Sequence, residues 1–218
     1  MTRWAGAEKA SPQGPRRRRK AEESREVILR AARDLFASEG YAGVSMRKVA
    51  ERAGCAPATI YAFFPGKRRL LHQIWEGVFE DLGRELNSSY AGAADLEKLC
   101  LTYIDFWLGR PDDYRAIFLT EDHPQVSDEG FFVDNSPSLP GLDVFCTALT
   151  DGQERGEIEP GDPLEMRSVL LSSMHGVALG LITIPEYPWG DPTRLKDNTV
   201  RALVRGMRRA EWDGSKPS

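Results

Sequence analysis

Three cysteines in 218 residues, Cys55, Cys100 and Cys146, are too scattered and odd in number to imply a disulfide framework. That usage fits a reducing compartment. Histidine is as scarce: His72, His123 and His175 fall in different expected elements, no two at metal-ligand spacing and none beside a cysteine. No metal centre is therefore expected, and no cofactor. The nucleophile elbow, the P-loop and the dinucleotide glycine fingerprint are all missing, which argues against an enzyme. No stretch alternates apolar and polar residues as a strand would. The longest apolar run, Val169–Ile184, is short for a bilayer and contains His175 and two serines, so it reads as a buried helix with no membrane partner. The N-terminus has charges but no apolar core of a secretory signal, and a cytoplasmic location is expected.

Charge is present but unevenly placed. The chain has a net charge of −4, yet residues 1–70 carry 16 basic and 7 acidic side chains, a net of +9, and the remainder carries −13. A basic front on an acidic body suits a head that binds a polyanion and a body that the same polyanion repels.

The stretch around which the chain is organised is Ser45–Lys67, SMRKVAERAGCAPATIYAFFPGK. Ser45 can cap a first helix, and Val49, Ala50 and Ala53 give that helix one apolar side. Gly54 supplies the turn, where φ > 0 favours glycine. Pro57 opens a second helix, at a position where its missing N–H is no loss, and Ile60 and Phe64 share a face. Two helices across a short glycine turn make a helix-turn-helix, whose second helix enters a DNA major groove.

Together with Ser24–Tyr41 before it and Lys67–Trp75 after it, this segment resembles the TetR family of bacterial transcriptional regulators. The matching residues are Ile28, Ala31, Ala32, Leu35, Phe36, Gly40, Tyr41, Ser45, Val49, Ala50, Ala53, Gly54, Ala58, Thr59, Ile60, Tyr61, Phe64, Lys67 and Leu70. The chain departs from the family pattern at Ala56, where a serine often caps the recognition helix. It departs again at Ala62 and Phe63, where a second aromatic and a histidine are common. Its operator should differ accordingly. The stretches YRAIFLTE and MHGVALGL are also similar to the C-terminal domain of the subgroup marked by Trp-His-Gly, with Met174 in place of the tryptophan.

The expected architecture is all-α. Residues 1–20 read as a disordered basic arm, 21–66 as a three-helix helix-turn-helix DNA-binding domain and 67–90 as a connecting helix. Residues 91–212 read as a helical ligand-binding and dimerisation domain, and 213–218 as a disordered tail. The resemblance implies that the connecting helix carries ligand binding to the head. Contacts with DNA divide into positioning and reading. Ser45, Tyr61 and Lys67 suit phosphates, and Arg47 can reach a guanine edge. Thr59 and Phe63 can meet a thymine methyl, while Ala58 and Ala62 allow close approach. Arg16, Arg17, Arg18, Arg19 and Lys20 can touch phosphates or the adjacent minor groove.

In the body, the helix expected over Leu96–Leu108 is apolar on almost every side, so it is buried all round or lines a cavity. Further helices are expected at Asp113–Thr120, Leu142–Glu154, Pro163–Ile184 and Pro192–Glu211. A small, largely apolar effector is expected among Tyr103, Phe106, Trp107, Phe118 and Phe145, with His175 either a polar group beside it or a core residue. Ser172, Gly176 and Gly180 recur every four residues and leave one helix side nearly bare. With Leu195, Leu203 and Met207 they suggest a four-helix dimer interface. The resulting expectation is a homodimeric repressor of a near-palindromic double-stranded DNA operator, released by a small molecule. The alternative is a cytosolic helical enzyme or adaptor whose head does not read DNA.

Overall fold

The computed structural model describes residues 15–90, 96–119, 132 and 136–209. Among these the chain is helical, apart from one isolated antiparallel bridge between Ile158 and Arg208. It divides into two compact units, residues 1–71 and 72–218.

The first unit contains α1 (Pro15–Gly43), α2 (Met46–Ala53) and α3 (Pro57–Phe63). Its core contains Ile28, Ala31, Ala32, Leu35 and Phe36 from α1, Val49 and Ala50 from α2, Ile60 from α3, and Phe64, whereas Val27 on the same helix as the first five is exposed. One expectation is corrected here. Arg16–Lys20 is not part of an irregular arm; it forms the opening turns of α1. Arginine and lysine are good helix formers, Pro15 suits a helix start, and Arg19 pairs with Glu23 one turn on at 3.4 Å. The far end of α1 is interrupted at Gly40, whose φ of 70° and ψ of 168° break the helical path.

The turn at the heart of the motif is built as the sequence implies. The Lys48 amide donates to the Ser45 hydroxyl at 3.2 Å, and Gly54 closes α2 in the left-handed region at φ 66°. Ala56, at the start of α3, offers no side-chain cap.

Helix α4 (Lys67–Ser89) begins in the first unit, where Leu70 and Leu71 are buried, and continues into the second. The second unit adds α5 (Leu96–Leu108), α6 (Pro111–Phe118), a 3-10 turn (Leu139–Asp143), α7 (Val144–Glu154), α8 (Pro163–Thr183) and α9 (Pro192–Met207). Helix α5 packs against α6, α7, α8 and α9, which leaves only Lys98 and Asp105 exposed along its length. Helix α8 is long and apolar enough to cross a membrane by composition. It instead presents Leu170, Met174, Ala178 and Ile182 to its neighbours, one helical turn apart. Asp162 and Asp191 cap α8 and α9 by accepting from Leu164 N and Thr193 N, each at 2.9 Å.

One close approach in this unit supports a stability prediction. A Cβ on Gly152 of α7 would lie 2.5 Å from Ile158 Cγ1. Gly152→Ala gains about 1 kcal/mol of helix propensity but overpacks a buried contact at a cost of about 1–3 kcal/mol. A net loss of stability is expected, read as a lower urea midpoint at unchanged m value.

Candidate nucleic-acid interface and effector site

Ala58, Tyr61 and Ala62 lie on the exposed side of α3, with Tyr61 56% exposed. Thr59 and Phe63 are half-buried, Phe63 tilted against Phe64 at 6.3 Å. Helix α3 is only seven residues long, and Ile60 with Phe64 hold it to the core, so the side chains opposite face outward by helical spacing. Ser45 is exposed, its hydroxyl accepting from Lys48 N. Arg47 is exposed and unpaired among the described residues, in contrast to neighbours that are engaged. Lys48 binds Glu39 at 2.5 Å, and Arg52 faces Asp34 at 3.8 Å. Arg16, Arg17, Arg18, Arg19 and Lys20 are all exposed on α1.

Lys67 differs from the free point charge expected of it. Its ammonium donates to the carbonyls of Tyr41 at 2.7 Å and Val44 at 3.1 Å and sits over the Tyr41 ring at 4.1 Å. These carbonyls follow the break at Gly40, and that of Tyr41 otherwise receives only a long bond from Val44 N, at 3.4 Å. Lys67 thus fastens the start of α4 to the end of α1, with one proton left for any phosphate.

In the second unit the structure brings the expected ligand residues together. Tyr103, Phe106, Trp107 and Phe145 are buried; Phe118 and His175 are half-buried. Trp107 is the hub, meeting Phe106 at 5.0 Å, Phe118 at 5.1 Å and Tyr103 at 6.2 Å between ring centres, all edge to face. Tyr103 in turn meets Phe145 at 6.4 Å. Tyr114, Trp75, Phe79 and Phe132 also belong to this cluster, and sequence reasoning did not assign them to it. Tyr114 lies 5.7 Å from Trp107, Phe79 lies 6.0 Å from it, and Phe132 packs between Trp75 and Phe79. The available signal was four-residue spacing: Trp75 with Phe79, and Tyr114 with Phe118.

Polar groups here are few. The Tyr114 hydroxyl lies 3.0 Å from His175 Nε2. Burial pushes the Tyr114 phenol up to about 12 and lowers His175 from its ordinary value. Burial also raises Tyr103, an effect partly offset by the Trp107 side chain. That contact falls short of a formed hydrogen bond, for Trp107 Nε1 has no partner among the described residues. Because charging His175 is harder in the fold than in the unfolded chain, the neutral form is the stabilising one. Stability should therefore decline as pH falls through about 6.5, where the unfolded histidine begins to take protons. Melting temperatures at pH 7.5 and 5.5 check this, and His175→Gln is expected to shrink the difference.

Of the residues expected at a dimer face, Ser172 and Gly176 are exposed on α8, and Leu195, Leu203 and Met207 are half-buried on α9. Gly180 is not bare. It is buried beneath Trp189, whose Cζ2 lies 2.8 Å from the position of a Cβ and whose Nε1 donates to the Ile184 carbonyl at 2.9 Å. The close approach that this glycine permits lies within the protomer. Val169 and Leu179, on the side of Ser172 and Gly176, are exposed.

Residues 28–74 match the family described as bacterial regulatory proteins, tetR family. The fatty acid metabolism regulator protein of Bacillus subtilis is 24% identical over 184 residues, covering 83% of this chain and 93% of that protein. The HTH-type transcriptional repressor KstR of Mycobacterium tuberculosis is 36% identical over 78 residues, 35% of this chain and 36% of the repressor. Among solved structures, a SmeT–triclosan complex has the same fold, with a TM-score of 0.67 at 20% identity over 90% of this chain and 98% of that one. The family match falls on the helix-turn-helix and the start of α4, and the likeness in fold extends through the helical body. Residues 28–74 thus form a DNA-binding domain of the tetR-family type, on a chain whose relatives are transcriptional regulators.

Proposed function

We propose that the protein is a cytoplasmic repressor that docks two identical heads in successive major grooves of a near-palindromic operator and lets go when a small apolar molecule enters the body. The observation that carries the DNA half is the outward face of α3, small at Ala58 and Ala62 with Tyr61 exposed, beside an α2 whose Arg47 is exposed and unpaired among the described residues, on a head of net charge +9. Small side chains let the helix axis approach the base edges, and a free guanidinium suits a guanine. Pairing of two copies would use the exposed side of α8 around Val169, Ser172, Gly176 and Leu179 with α9, and a two-fold axis there matches a two-fold operator. The effector half is supported by the aromatic cluster around Trp107 and by the likeness in fold to SmeT, whose solved complex holds triclosan. Binding would shift the population of dimers toward a head spacing that misses the grooves.

The test is a gel-shift titration against DNA upstream of the protein's own gene, repeated at several salt concentrations. A steep salt slope and a strong preference for one sequence over bulk DNA are expected. Arg47→Ala should weaken that preferred site by roughly 1–3 kcal/mol and relax its specificity at one base pair. Indifference to sequence at every salt concentration would return the chain to the class of helical proteins with an idle head.

A further inference from the structure

Two donors in the aromatic cluster have nothing to donate to. Trp75 and Trp107 are 3% and 0% exposed, and neither indole Nε1 has a hydrogen-bond partner among the described residues. A buried N–H without an acceptor bears its desolvation cost uncompensated, and folded proteins satisfy nearly all such groups. The two donors flank one aromatic pair. Phe132 meets the Trp75 ring edge to face at 5.2 Å and stacks on Phe79 at 5.7 Å, and Phe79 meets Trp107 at 6.0 Å.

The surroundings are apolar. No charged side chain is buried among the described residues, and the polar groups buried in the cluster are the phenols of Tyr103 and Tyr114 and the two indole N–H groups. Two guanidinium groups beside members of the cluster are already engaged. Arg110 lies 4.0 Å over the Phe106 ring and 3.8 Å from Glu85. Arg115 pairs with Asp112 at 3.2 Å and donates to the Ile182 carbonyl at 2.8 Å.

Resting on the reading of this cluster as the effector site, we propose that the effector is an uncharged, largely apolar molecule bearing a hydrogen-bond acceptor, a carbonyl or ether oxygen, that receives the N–H of Trp107 or Trp75. An acceptor oxygen satisfies a donor that the fold leaves bare. A hydrocarbon of the same shape fills space but leaves the donor unmet. A carboxylate brings a charge into an interior where the described residues bury no cation to meet it.

Three probes of similar shape separate these cases: benzophenone, with one carbonyl oxygen; diphenylmethane, with none; and 4-benzoylbenzoate, with a carbonyl and a carboxylate. Their binding to the full-length protein is measured by titration calorimetry and by thermal shift. Benzophenone is expected to bind at least tenfold tighter than either of the others. Trp107→Phe or Trp75→Phe, made singly, should bring benzophenone down to the level of diphenylmethane in one of the two variants. Equal affinity of the intact protein for benzophenone and diphenylmethane, or tighter binding of 4-benzoylbenzoate, overturns the acceptor assignment and leaves an apolar effector site standing. An unchanged preference in both variants overturns it as well. If none of the three probes binds, the effector site itself falls and takes the proposal with it. The comparison among probes needs no variant to fold.

Discussion

Trp107→Ala is expected to cost the second unit about 3–5 kcal/mol, the range for removing a large aromatic from a core. The residue is fully buried, and its ring meets those of Phe79, Tyr103, Phe106, Tyr114 and Phe118. These neighbours come from α4, α5 and α6, so the side chains that would have to close the cavity are fixed on three separate backbones. Their rings are rigid and already held edge to face, which limits collapse. Against a total stability of about 5–15 kcal/mol, this is a large fraction, and the melting temperature should fall by roughly 10 °C. Trp107→Phe keeps most of the apolar area and removes an unsatisfied donor, so its loss should be clearly smaller. Urea denaturation of both variants checks the pair. A loss below about 1 kcal/mol for the alanine variant would mean that the cluster is already hollow at its centre.

The second large effect concerns the basic tract. Replacing Arg16, Arg17, Arg18, Arg19 and Lys20 together by glutamine is expected to weaken operator binding far more than any single change in α3. These five cations occupy the opening turns of α1, all exposed, with no acidic residue in the first turn. The macrodipole already makes that end of a helix positive, so the arrangement is unfavourable in the free protein and becomes favourable against phosphate. Each phosphate that is no longer neutralised should reduce the log–log salt slope by about 0.9. If each of two heads neutralises two or three phosphates through this tract, the slope would fall by roughly 4–5, and counter-ion release alone would lower affinity near 0.15 M salt on the order of a thousandfold. Glutamine keeps the helix propensity, so circular dichroism should be unchanged while the gel shift moves. An unchanged slope would make the tract a solvated helix start and nothing more.

The helix-turn-helix was legible because its signals are local. Ser45, Gly54 and Pro57 each act within a few residues, and the structure uses Ser45 and Gly54 as caps and Pro57 to open α3. The body's helices were also legible from their periodicity and from the prolines that begin them. The start of α1 was misjudged because five consecutive cations suggest a tail, whereas their helix propensity and the Arg19–Glu23 pair favour continuation. Lys67 and Gly180 illustrate the other limit. Their partners, Tyr41 and Val44 for one and Trp189 for the other, come from chain reversals that spacing does not encode. The place of Phe132 was not legible, because it packs between Trp75 and Phe79 of α4 from a distant part of the chain. The unpartnered indoles follow from tertiary packing and have no counterpart in the sequence.

The brevity of α3 has a thermodynamic consequence. Seven residues without a capping side chain have no helical stability of their own in water, so the element stays wound only while Ile60 and Phe64 remain seated. Its amides should therefore exchange with solvent earlier than those of α1, through local opening well below the global unfolding energy. Immobilising it on DNA would add a negative heat-capacity increment to association. A wrong sequence is then penalised twice, once for the missing base contacts and again for leaving this short segment to fray.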